Sequence, residues 1–146
     1  MSIALAQAQT ITAAALAKGH ELGFAPLTVA VLDAGGTLVS LMREDNSSLL
    51  RPEIATGKAW GTLGMGFGGR ELARRAKTVP QFFNALSDMS GGRMVPVQGG
   101  VLVRDAAGAI IGAVGISGDA SPNDEICAVA GIEAAGLVAD TGGGEV

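Results

Sequence analysis

Two runs of small and β-branched residues, 95–103 and 109–116, flank an Asp-Ala-Ala-Gly stretch at 105–108. Such a turn signal between two such runs predicts a hairpin: the glycine admits a positive φ and the flanking residues favour extended backbone. Glycine punctuates the same segment at Gly99, Gly100, Gly112, Gly115 and Gly118. Glycine inside a strand marks close approach of another backbone, so whatever covers this hairpin must lie tightly on it. These positions vouch for a fold and carry no reactive group.

The rest of the chain supplies partners for that hairpin. Residues 26–33 and 37–42, around Ala34, Gly35 and Gly36, predict an earlier hairpin. Residues 3–22, rich in Ala, Leu, Gln and Lys and free of Pro, predict a first helix stopped by Gly23. Ser47 or Ser48 is the expected cap of a second helix from close to Arg51 to about residue 63, with Pro52 in its first turns. The glycine-rich segment 61–69 predicts an irregular, close-packed connection, followed by short helical turns at 70–75 and 81–88, the latter opened by Pro80. Ser121 or Asn123 is the expected cap of a closing helix to residue 138, with Asp124 and Glu125 complementing its dipole. Helices alternating with hairpins imply an α+β layout, an antiparallel sheet covered by helices. One domain over residues 1–140 and a flexible tail at 141–146 follow.

The closing helix is apolar on nearly all sides, from Ile126 through Ile132 to Leu137, which predicts a subunit interface as well as a core face. A hydrophobic fraction of 48% against 16% charged residues points the same way, to a homo-oligomer. No apolar run reaches the roughly 18 residues a membrane span requires. The start of the chain lacks a basic region and a long apolar stretch, so a cytoplasmic location is expected. A net charge of −4 argues against nucleic acid as a partner. Cys127, the sole cysteine, reads as a buried structural thiol.

Taken in order, the segments resemble the GlcG/HbpS haem-binding family, which also includes the C-terminal domain of PduO-type proteins. The resemblance rests on Pro96 followed by Gly99-Gly100-Val101, on Gly112-Ala-Val-Gly-Ile-Ser-Gly118, and on Asp124-Glu125 opening the last helix. Earlier matches are Val29-Ala-Val-Leu-Asp33 with Gly35-Gly36, Arg43 and Asp45, and Ala55-Thr-Gly-Lys58-Ala59. The resemblance implies a profilin-like α/β/α sandwich with a central antiparallel sheet of about five strands, assembly into dimers and up to octamers, and binding of haem or a related tetrapyrrole.

Haem iron takes His, Cys, Met or Tyr, and the chain has no Tyr and one histidine, His20. His20 is the metal-ligand candidate, with Met42, Met65, Met89 and Met94 as possible thioethers. Arg43, Arg51 and Lys58 are candidate clamps for a carboxylate. Trp60 and Phe67, beside the glycine cluster, are candidate walls of an apolar pocket, with Gly118 as a close-approach point. The competing reading is a cofactor-free isomerase or lyase for a small carboxylated metabolite. In it Asp33 or Glu53 acts as the acid/base group beside Arg43 and Lys58. That reading requires Asp33, Arg43, Arg51, Glu53 and Lys58 to converge on one edge.

Overall fold

In the computed structural model, which describes residues 1–144, helix α1 (Leu5–Leu22) ends where Gly23 turns left-handed at φ 70°. Strands β1 (Thr28–Asp33) and β2 (Leu38–Arg43) form the first hairpin. Helices α2 (Arg51–Met65), α3 (Gly69–Thr78) and α4 (Pro80–Met89) follow, then β3 (Gly100–Arg104), β4 (Ile110–Ser117), α5 (Ser121–Ala134) and β5 (Val138–Asp140). The sheet order is β2-β1-β4-β3-β5 with every neighbouring pair antiparallel.

Side-chain alternation along the strands builds two cores. Val29, Val31, Val101, Val103, Val114 and Ile116 pack with Ile11 and Ala15 of α1 and Ala128 and Ile132 of α5. Leu32, Leu102 and Ala113 point the other way, onto Ala59 and Trp60 of α2. A sheet buried on both faces between helices is the α/β/α arrangement of an α+β domain, as expected.

Several local expectations are corrected. The connection foreseen at 61–69 is helical as far as Met65, because α2 is held by packing that outweighs the roughly 1 kcal/mol each interior glycine costs. Gly57 is required there, because a Cβ would meet the Arg93 carbonyl at 2.8 Å, while at Gly61 a Cβ would press on the Met94 side chain at 3.1 Å. Residues 95–99 are a loop rather than a strand, laid on α2 by the Val95 N–H donating to the Gly57 carbonyl. The closing helix stops at Ala134, not 138. Gly136 at φ 73° turns the chain, and Val138–Asp140 becomes the edge strand β5, tied by Arg104 to Asp140 at 2.8 Å.

Neither serine caps α2, whose cap position is Leu50, and Ser47 instead bonds Thr28. Neither Ser121 nor Asn123 caps α5, whose cap position is Ala120 with no side-chain cap bond, and the carboxylate of Asp119 lies just before it. It accepts from the backbone of Ala25, the Asn123 side chain and the backbone of Ala120, which together hold it below the usual carboxylate range. Of the tail, residues 141–144 lie on α3: the Thr141 carbonyl accepts from Arg70 N–H, and Arg74 bonds the carbonyls of Gly142 and Gly143. Residues 145 and 146, assigned to the same tail, lie outside the described residues.

A Cβ on Gly115 would sit 1.8 Å from the Ala55 carbonyl oxygen of α2. Gly115→Ala should therefore lower unfolding free energy by about 3 kcal/mol in denaturant titrations. Gly64, with nothing within 4 Å of its missing Cβ, should accept alanine with a gain of about 0.5 kcal/mol. Cys127 is fully buried, and burial pushes its thiol up to about 11 from 9.0. The folded protein should resist alkylation at pH 8 and label on unfolding. Because the folded thiol keeps its proton longer than the unfolded one, stability should fall as pH rises from 9.0 to about 11.

Candidate functional site

The five charged residues expected to converge do not. Asp33 and Arg43 stand at opposite ends of the β1–β2 hairpin. Asp33 is occupied by the turn it sits in, its carboxylate accepting from the N–H groups of Gly35 at 3.0 Å and Thr37 at 2.9 Å. Glu53 lies exposed in the first turn of α2. Phe67 packs beside the Leu72–Phe83–Met94 cluster under the guanidinium of Arg75, 4.1 Å from its ring. Gly118 serves packing, since a Cβ there would meet the Pro26 carbonyl at 2.2 Å.

Lys58 and Arg51 both reach the end of β4, Lys58 in the interior and Arg51 half-buried. Lys58 is 3% exposed, and its Nζ donates to Asp124 at 3.1 Å and to the Ile116 carbonyl at 2.9 Å. Asp124 is fully buried and also accepts from the Asp119 N–H, while Arg51 donates to Ser117 Oγ at 2.9 Å. Burial holds Lys58 below its ordinary value and Asp124 above its own, each opposed by the partner's charge. This pair ties α2 to α5 across β4 and offers no open donor face to a ligand. Glu125, beside it, is buried and takes a 2.7 Å bond from Arg70.

His20 sits in an open cleft of about 520 Å³ between the end of α1 and the end of β2. Leu16, Phe24, Pro26 and Met42 give it apolar walls, and Arg43, Glu44 and Asp45 give it charge. The His20 Nε2 bonds Glu44 Oε2 at 2.5 Å, and Glu44 is itself fixed by accepting from the Leu27 N–H at 2.7 Å. Arg43 donates one guanidinium N–H to the Ser47 carbonyl and makes no ion pair among the described residues. Arg43, His20 and Met42 are thus brought together, although Lys58 is not with them. Glu44 escaped the sequence reading, whose only hint was its place beside Arg43 at the end of a strand.

Trp60 belongs to a different surface, where the Arg93 guanidinium covers its ring at 4.2 Å. Among the described residues there is no cluster of three or more His, Cys, Asp or Glu able to hold a bare metal ion.

With that geometry in place, comparison decides the family. The model of the HbpS-like family, described as haem-degrading, matches residues 3–133. The chain belongs to the HbpS-like family. Among the similar proteins is the corrinoid adenosyltransferase PduO of Citrobacter freundii, 30% identical to this HbpS-like chain over 125 residues, 85% of this chain and 36% of the relative. The chain therefore spans about a third of the length of that curated relative. Similar solved structures include a PduOC:heme complex, with TM-score 0.83, 26% identity and coverage of 94% of this chain and 98% of that one. HbpS itself superposes with TM-score 0.79 at 28% identity, over 91% of this chain and 89% of that one. Klebsiella pneumoniae ORFY matches at TM-score 0.81 and 26% identity, over 92% and 90% of the two chains.

Within this HbpS-like domain the Lys58–Asp124 pair should behave as a structural tie. Lys58→Met, which strands a buried carboxylate, should cost about 3–5 kcal/mol in chemical denaturation. The double variant Lys58→Met/Asp124→Leu should recover most of that loss.

Proposed function

We propose that the protein binds haem, or a closely related tetrapyrrole, in the cleft between α1 and β2, where His20 would be the residue that holds its iron. The observation that carries this reading is the His20–Glu44 bond at an open cleft that is apolar on one side and carries Arg43 beside Glu44 and Asp45 on the other. Metal-ligating imidazoles characteristically have their second nitrogen bonded to a carboxylate, which fixes the ring and raises its basicity. Glu44 supplies that carboxylate and leaves the other ring nitrogen for iron. Leu16, Phe24, Pro26 and Met42 suit an apolar macrocycle, and Arg43 has donors left for a propionate. A volume of about 520 Å³ lies within the range of cofactor sites. Membership of a family described as haem-degrading, and similarity to a PduOC:heme complex, support the same ligand.

The protein carrying this cleft is read as a cytoplasmic homo-oligomer. Ile126 on α5 and Leu22 on α1, both close to half exposed, support an apolar subunit contact. No helix among the described residues is long and apolar enough to cross a membrane. The isomerase or lyase alternative draws no support, because Asp33 and Glu53 meet neither Arg43 nor Lys58.

Haemin titration of the purified protein tests the reading. The wild type should give a saturable Soret band at one haem per chain, and His20→Ala should shift that band and weaken binding. Glu44→Ala, which leaves the ligand but removes its support, should weaken binding about 10- to 100-fold. A broad, unsaturable band that is the same in wild type and His20→Ala would overturn it.

A further inference from the structure

A second cleft opens on the other face of the hairpin. It is lined by Leu41, Pro52, Glu53, Thr56, Trp60 and Arg93, encloses about 450 Å³, and shares no residue with the His20 cleft. Side chains alternate along β2, so Leu41 faces this cleft while Met42 faces the other.

We propose that this cleft is a binding site for a small carboxylate that also carries a hydroxyl or ammonium donor. Arg93 is held from two sides: its guanidinium lies 4.2 Å over the Trp60 ring, and its Nε donates to the Ser90 carbonyl at 2.7 Å. A stacked guanidinium keeps its in-plane donors free and has already lost much of its rotamer freedom, which favours capture of a carboxylate. Its backbone is fixed as well, because the loop carrying it lies on Gly57, where a Cβ would meet the Arg93 carbonyl at 2.8 Å and Val95 at 2.7 Å.

Glu53 lines the same cleft as an acceptor. Neither Glu53 nor Arg93 is ion-paired among the described residues, although both border one cavity. A held Arg93 and an unmatched Glu53 on the same cavity recognise a ligand with the complementary pair, an anion for Arg93 and a hydrogen-bond donor for Glu53. Trp60 and Leu41 supply the apolar surface for its carbon skeleton.

Trp60 is the only tryptophan and lines this cleft, so its emission responds to a ligand bound here. The haem-free protein is titrated with lactate, which offers a hydroxyl, and with serine, which adds an ammonium. Butyrate and butylamine each lack one half of the pair. A saturable change in Trp60 emission with lactate or serine is expected, with butyrate and butylamine at least tenfold weaker. Arg93→Gln and Glu53→Gln should each lose about tenfold or more in affinity. Neither side chain borders the His20 cleft, so the Soret titration should be unchanged in both variants, which separates this site from haem binding. The proposal falls if neither lactate nor serine gives a saturable response, if butyrate or butylamine binds equally well, or if either variant binds like the wild type.

Discussion

Helix α2 lies so close to the sheet that its backbone occupies the space a side chain would need on two neighbouring strands. The Ala55 carbonyl stands where a Cβ of Gly115 would be, and the Lys58 carbonyl lies 2.4 Å from the corresponding point on Gly100. Because β3 and β4 pair Gly100 with Gly115, the two bare positions sit side by side and form one trough for the helix. That depth carries Lys58 into the interior, sets Trp60 at the surface and points the first turn of α2, with Glu53, toward open solvent.

A lysine driven so deep needs a counter-charge, and α5 provides it through Asp124. Desolvation disfavours both ions, so the pair contributes less to stability than its 3.1 Å separation suggests. Its value is positional: Lys58 Nζ bonds the Asp124 carboxylate of α5 and the Ile116 carbonyl of β4 together, which holds the start of α5 against the end of that strand. The helices on opposite faces of the sheet are thus registered through it rather than only by apolar contact.

What the sequence disclosed follows the range of the forces involved. The first helix, the first hairpin, Pro80 at the start of α4 and the turn at 105–108 are local matters of caps, turns and propensity, and they stand as read. Strand β5 and the loop at 95–99 were illegible because their partners, Leu102–Arg104 and Gly57, are distant in the chain. The site divides the same way. His20 stood out as the only histidine, but Glu44 acquires its meaning from bonds to residues 17 and 24 positions away. Lys58 looked like a clamp because nothing local announces an aspartate 66 residues later.

The β1–β2 turn, held by Asp33 over Gly35 and Thr37, has a wider reach than its place at the surface suggests. Strand β2 forms a wall of both clefts, one through Met42 and the other through Leu41. A shift of pairing by a single residue would exchange those two side chains between faces. Surface turns are ordinarily where a lineage tolerates insertions and deletions. Here a change of one residue in turn length would remodel both cavities at once, so evolution has little freedom to vary one without disturbing the other.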